Sequence, residues 1–358
     1  MTWSALEPQH YTEPSVLERE RELIFDAQWV PVGLVSDLQA DRDFIAAEVA
    51  GRGVVVQNFA GELRAFENVC SHRQSPLRTC GRGNGPLRCP YHGWTFDSAG
   101  VPVGIPQRRS FGDMSPSLLQ QLTLDRWALE VVGPLVFVAR KPRESSLRSS
   151  MGSLASELTD VLQGARRCLD RSVFELGCNW KVMLENGLDA YHVPLVHAQT
   201  IHKHGLDELA REQHGEHSVG RFAAASSARV LRALRYAYPE ASLSERYTHF
   251  LLYPNTYVVS VYGLFVVVSR IDPIDASTTR FESSVFVSWD GEQGNVTLRE
   301  EVNASNAAFF RNGYQEDKLI CEQVQRALRY TERKALLGTE EERIAMFHQS
   351  WLRDLGRA

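Results

Sequence analysis

The sequence predicts an α+β protein in two parts, and three observations carry that prediction. Over 35–140 short β-like runs alternate with turn residues, 141–150 is polar and proline-marked, and beyond it helical stretches and a block of strands share one region. Taken in order, Thr12-Glu13-Pro14-Ser15 ahead of VLERERELIF reads as a helix start, with a capping residue and an early proline, running to about Phe25. FIAAEV, GVVVQNF, LRAFENV, GWTF, the turn DSAG and PLVFVAR then make a small all-β module. The second part begins with a helix near 180–192, continues with strands over 247–289, and ends with helices near 296–334 and 340–354. No repeat or low-complexity tract interrupts this order.

With 358 residues the chain can bury a large core without metals or disulfides to support it. A formal net charge of -5, with both signs scattered, argues against a nucleic-acid or anionic-membrane surface, and Gln107-Arg108-Arg109 is too short to reverse that. The longest apolar window, 257–268, is broken by Ser260 and Gly263 and falls short of a membrane helix. MTWSALEPQH carries no secretory signal, so a cytoplasmic protein is expected. In a reducing compartment the six cysteines (70, 80, 89, 168, 178 and 321) should serve metals or nothing, and Cys168, Cys178 and Cys321 read as small buried hydrophobes.

The stretch CSHRQSPLRTCGRGNGPLRCPYHGW concentrates the chemistry: Cys70-x-His72, sixteen residues, then Cys89-x-x-His92. Two tight loops facing each other would supply two thiolates and two imidazoles, which tetrahedral zinc accepts. Each loop offers one of each type, however, whereas zinc modules usually pair like with like. A Rieske [2Fe–2S] cluster holds one iron by two histidines and the other by two cysteines, a distribution that mixed loops achieve by crossing the gap. Cys80 takes no ligand role.

A second constellation lies over 179–197. On a helix Glu185, Asp189 and His192 share a face, while His197, five residues on, would point away; Pro194 should end or kink the helix so that both imidazoles converge. Two histidines and a carboxylate with open positions make the facial triad of non-heme iron(II) oxygenases. Asp317 is the expected carboxylate, because Asp317, Ile320, Cys321, Val324 and Leu328 form one stripe and a charge on an apolar face needs a metal or a partner. Glu316 is the alternative, and both acids could instead merely complement a helix N-terminus. His202 and His204 read as surface or pocket residues, His249 as pocket lining or packing, and Tyr191 as a hydrogen-bonded core residue.

Cys70-Ser71-His72-Arg73, Cys89-Pro90-Tyr91-His92-Gly93-Trp94 and Asp189-x-x-His192-x-x-x-x-His197, with flanking NWK, EN and AYH, resemble the α subunits of Rieske non-heme iron oxygenases. Ser75 and Tyr91 stand where cytochrome-complex Rieske proteins have extra cysteines, which makes this the oxygenase and ferredoxin type. The resemblance covers nearly the whole chain. It implies an N-terminal helical segment (1–38) packing with the catalytic domain, a Rieske domain (39–143), and a catalytic iron domain (144–358) of helix-grip fold, whose antiparallel sheet HFLLY, TYVVSVY, LFVVVSRI and FESSVFVSW would build.

It further implies that Asp189 is no ligand but a hydrogen-bonded bridge between the Rieske histidine of one subunit and an iron histidine of the next, in a head-to-tail homotrimer. Asn186 matches an asparagine often near the iron, and Glu322, five residues past Asp317, matches the family's late helix. The expected reaction is hydroxylation of a small organic substrate, by mono- or dioxygenation or oxidative demethylation, with O2 as co-substrate. NAD(P)H would act only indirectly, through a reductase or ferredoxin, since no glycine-rich dinucleotide fingerprint is present. The alternatives are an electron-transfer Rieske protein and a zinc-stabilised ligand-binding module. ERERELIF and QED…CEQVQ resemble the branch acting on quaternary ammonium compounds, although that branch usually has glutamate where Asp189 stands; a natural-product tailoring oxygenase is the other substrate reading.

Overall fold

The computed structural model describes residues 1–79, 81–144, 146–200, 206–224, 227–289, 291 and 293–356. Cys80, His202 and His204 lie outside the described residues. The chain divides into two units, Phe25–Leu147 and Met1–Ile24 with Arg148–Ala358.

The first unit is a seven-stranded antiparallel sheet in the order β1-β9-β8-β4-β3-β2-β5, where β1 is Val30–Leu34, β2 Asp43–Val49, β3 Arg52–Phe59, β4 Glu62–Glu67, β5 Arg82–Asn84, β8 Arg126–Val132 and β9 Leu135–Ala139. A short ribbon of β6 (Thr95–Phe96) and β7 (Pro102–Gly104) stands apart from it. Two-residue turns join β2 to β3 and β3 to β4, and each needs two positive φ values: Ala50 (49°) with Gly51 (84°), and Ala60 (54°) with Gly61 (97°). One boundary differs from expectation. Residues 25–38 belong to this sheet unit, because β1 pairs with β9 at its edge and Asp26 is bonded to Arg52 (3.0 Å) and Arg140 (2.9 Å). VPVGL is buried almost throughout, so it has no alternation for a sequence pattern to reveal.

The second unit is built on another seven-stranded antiparallel sheet, β10-β16-β15-β14-β13-β12-β11, with β10 Arg167–Leu176, β11 Leu206–His214, β12 His217–Ala224, β13 Arg246–Leu252, β14 Thr256–Val261, β15 Phe265–Asp275 and β16 Thr278–Val287. The expected strand block is β13 to β16. The hairpin β11–β12 adds to it: LDELAREQH has the charge content of an exposed helix, yet it forms the edge strand, where charged side chains discourage pairing with another chain.

Helix α1 (Pro14–Glu20) continues into a π-helical turn, Arg21–Phe25, as the N-terminal pattern indicated. In this same unit α2 is Trp180–Leu188, α3 the single turn Val193–Val196, α4 the 33-residue Val296–Leu328 and α5 Glu342–Leu355. Asn179 caps α2 by accepting from Lys181 N (3.0 Å), and its own N–H donates to Gln325 of α4 (2.8 Å). Glu20 of α1 accepts from Lys181 Nζ (2.6 Å), Trp180 Nε1 (2.8 Å) and Trp351 Nε1 (2.7 Å), tying α1, α2 and α5 at one buried point. Among the described residues no helix is long and apolar enough to cross a membrane.

Candidate metal centres

The two Cys/His loops of the sheet unit are built alike. Cys70 N donates to Ser75 O (2.9 Å) and Gln74 N to Cys70 O (3.0 Å); Cys89 N donates to Trp94 O (2.8 Å) and Gly93 N to Cys89 O (3.0 Å). The fifth residue of each loop is left-handed, Gln74 at φ 54° and Gly93 at 76°, which lets each loop close in six residues. Both cysteines are buried in the core with Phe66, Leu77, Leu87 and Phe96. The imidazoles of His72 and His92 lie 4.6 Å apart, and Trp94 stacks on His72 at 4.8 Å.

Burial raises the Cys70 thiol, with contact to Cys89 adding to it, while burial and the neighbouring His92 lower His72. The Nδ1 atoms of both histidines are buried with no hydrogen-bond partner. Buried nitrogens of this kind are costly unless something binds them. Two adjoining thiols and two orphaned imidazole nitrogens are the donor set of a Rieske cluster, so the residues fit that group.

In the other unit His192, His197 and Asp317 converge, with their ligand atoms all within 4.8 Å of one another. Asp317 Oδ1 is 2.9 Å from His197 Nε2 and 3.6 Å from His192 Nε2, yet it accepts no hydrogen bond of good geometry. Each histidine is held from behind: His192 Nδ1 by Asp189 Oδ2 (3.1 Å), and His197 Nδ1 by Glu316 Oε2 (2.7 Å), which also accepts from Thr200 (2.7 Å). With both Nδ1 atoms taken, the two Nε2 atoms and an unsatisfied carboxylate oxygen face one another, the facial set that suits a divalent iron.

The electrostatics agree. Burial pulls His192 down, but the hydrogen bond to Asp189 and the negative charges of Asp317 and Asp189 outweigh it and raise the group to about 9. His197 is raised in the same way against burial by Asp317 and Glu316. Burial pushes the Asp317 carboxyl up, and the two histidines with Asn186 bring it below its usual value. The carboxylates thus favour positive charge at the two imidazoles, a charge that a bound dication would supply.

The local route to this arrangement departs from expectation at two points. Helix α2 stops at Leu188, and Asp189 is already extended (φ -96°, ψ 130°), so Asp189 and His192 meet across a turn in which Asp189 accepts from Tyr191 N, not along one helical face. Pro194 begins the turn α3 and does not end a helix, because a first-turn residue needs no N–H partner. On α4 the buried row is Gly313, Asp317, Cys321 and Gln325, while Val324 is 43 % exposed, so the inward stripe follows a four-residue spacing and not the one first drawn. Glu316 is a support for His197, apart from the converging group.

Tyr191 is exposed instead of forming a core hydrogen bond. His249 is buried and accepts from Arg343 Nη1 (3.0 Å) on its Nδ1. Glu185 accepts from Tyr11 (2.8 Å) and lies 3.0 Å from His348, joining α2 to α5. Two residues escaped the sequence reading in these roles, Glu316 and Arg343; a signal for Glu316 existed in its adjacency to Asp317, and none for Arg343.

Known proteins identify the two units by family. Residues 159–356 match the family described as ring hydroxylating alpha subunit (catalytic domain), and residues 28–123 match the Rieske [2Fe-2S] domain. The chain is 26% identical over 331 residues to chloroplastic choline monooxygenase of Beta vulgaris, covering 89% of this chain and 69% of that one. It is 26% identical over 329 residues to the carnitine monooxygenase oxygenase subunit of Acinetobacter pittii, covering 89% and 84%. The fold superposes on the quaternary ammonium Rieske monooxygenase CntA with a TM-score of 0.81 at 22% identity over 98% of this chain and 95% of that one. For naphthalene 1,2-dioxygenase from Rhodococcus sp. the TM-score is 0.77 at 19% identity, over 97% and 93%. With a Rieske module followed by a helix-grip catalytic unit, the chain belongs to the ring-hydroxylating α-subunit family, the Rieske non-heme iron oxygenases.

Proposed function

We propose that Cys70, His72, Cys89 and His92 hold the [2Fe–2S] cluster, and that His192, His197 and Asp317 hold the mononuclear iron(II) at which a small organic substrate is monooxygenated. The observation that carries the reading is the convergence of His192, His197 and Asp317 with both Nδ1 atoms already committed to carboxylates. When bound, the cluster stores single electrons and the iron, left with open positions by three protein ligands, activates O2. The residues do the rest. Asp189 and Glu316 hold the two imidazoles in the tautomer that presents Nε2, and burial of His197 and Asp317 keeps bulk water off that side.

Electrons come from a reductase or ferredoxin, and we infer that Asp189 would bridge the residues that would hold the iron to the Rieske site of the next subunit in a head-to-tail homotrimer. Tyr191 (69 % exposed) and Leu195 (87 %) beside Asp189, and Tyr91 (57 %) beside His92, support this, since apolar side chains so exposed suit surfaces that meet a partner. The relatives named for choline and carnitine favour monooxygenation over dihydroxylation.

Metal analysis with EPR of the reduced protein tests the assignment. About three irons and two acid-labile sulfides per chain are expected, with Asp317→Ala keeping the cluster signal and losing the third iron. Unchanged iron in Asp317→Ala would remove Asp317 from the ligand set, an electron carrier would lack the third iron from the start, and a zinc module would be colourless.

A further inference from the structure

Arg343, at the start of α5, is 3 % exposed, an unusual place for a guanidinium. Its partners are all neutral: Nε to Ser218 Oγ (3.3 Å), Nη2 to Ser218 O (3.4 Å), and Nη1 to His249 Nδ1 (3.0 Å). Among the described residues no acid forms an ion pair with it. The acid whose field reaches it is Glu208, and Glu208 is committed to Arg211. Among the described residues three of its five N–H groups are used, which leaves two donors and no carboxylate paired with the charge. Burial drags the group down to about 10, a measure of how poorly the surroundings replace water.

The location is the face of the large sheet that the helices cover. In register across the strands, Gly220, His249 and Val259 share that face, as do Phe222, Tyr247 and Val261. A Cβ at Gly220 would lie 3.1 Å from Arg343 Nη1, so glycine there makes room for the guanidinium. The ring of His249 is 4.7 Å from that of Tyr257, whose hydroxyl donates to Leu184 O on α2, the helix that leads into Asp189 and His192. The charges of both Arg343 and Asp317 act on Tyr247 and Tyr257, so the guanidinium and the triad share these phenols as neighbours. Tyr247, partly exposed, lies on the same face, and burial raises its phenol.

We propose that Arg343, aimed by His249 and Ser218, anchors a carboxylate of the substrate, so that this oxygenase takes small carboxylate-bearing molecules with the reacting carbon toward His192, His197 and Asp317. The proposal rests on the oxygenase reading. The substrate carboxylate supplies the anion that the protein withholds, and the fork of the guanidinium orients it.

The test is calorimetric titration of cluster- and iron-loaded protein with acetate, butyrate and benzoate against acetamide, butyramide and benzamide. At least one carboxylate should bind about tenfold tighter than its amide, as a charge-assisted bidentate contact requires. Arg343→Gln should erase that preference with cluster absorption and iron content intact. If that variant loses its metals, Arg343→Lys serves instead, and its preference should shrink without vanishing, because the charge stays and the fork goes. Binding of no carboxylate, equal binding of acid and amide, or a preference unchanged in either variant would overturn the proposal, the last by putting the carboxylate on the metal. Failure of the oxygenase reading shows separately, as absence of the third iron from the wild-type protein.

Discussion

Glu316 and Asp317 are neighbours in sequence with separate tasks, one behind His197 and the other in front of it. The pair shows what sequence makes visible. The Cys70/His72 and Cys89/His92 pairs are legible because each is local, a few residues on one tight loop. Asp317 is legible because an acid among apolar helix neighbours demands a partner. The Glu316 contact joins residues 119 apart, and the buried Arg343 occupies a helical first turn of the kind that is normally solvated; neither has a local pattern. Because Glu316 sets only the orientation and basicity of His197, Glu316→Ala should retain the Rieske spectrum and cost about 10- to 100-fold in iron affinity or turnover. Glu316→Gln, which keeps an acceptor oxygen for Nδ1–H, should recover part of that. Parallel iron titrations of the two variants measure this, and an alanine variant that binds iron as the wild type does would show that His197 needs no support.

At the level of elements, the triad depends on where α2 ends, and α2 is held by a buried ion pair. Lys181 and Glu20 are both fully buried, with Trp180 and Trp351 completing the bonds of the carboxylate. Removing one partner leaves a buried charge alone, so Lys181→Met should cost about 3–5 kcal/mol. Adding Glu20→Gln should restore a good part of it, since no lone charge remains. Denaturant midpoints of the two variants decide between this and a pair that contributes nothing. A second tie between elements responds to pH. His217 of β12 donates from Nε2 to Ser150 O (3.0 Å) and accepts on Nδ1 from Tyr253 N (3.1 Å), which requires the neutral ring. Burial therefore lowers it to about 4, below the 6.5 of the unfolded chain. Between these values the unfolded state holds the proton and the folded state does not, so the contribution is full above pH 6.5 and is lost as pH falls toward 4. The wild type should lose on the order of 3 kcal/mol relative to His217→Gln over that interval. Parallel unfolding curves for the two proteins at pH 7 and pH 4.5 would contradict it.

For the molecule as a whole the decisive matter is which cluster feeds which iron. In the proposed assembly each chain would carry both donor sets, and a head-to-tail ring would put the cluster residues of one chain beside the iron residues of the next. Two crippled chains should then repair each other. Cys89→Ser removes a cluster ligand and leaves the iron triad, and Asp317→Ala does the reverse. Alone, each should be inactive with substrate and reductase. Mixed by co-expression, a junction works when an Asp317→Ala chain supplies the cluster and a Cys89→Ser chain the iron. With random assembly in equal amounts that holds for about one junction in four, so oxygen uptake near a quarter of the wild-type rate is expected. Mixing the purified variants without subunit exchange should give none. If electrons passed within one chain, no mixed assembly would contain a chain with both centres, and activity would stay at zero however the subunits were combined. That outcome would remove the bridging role from Asp189 while leaving its hold on His192 in place.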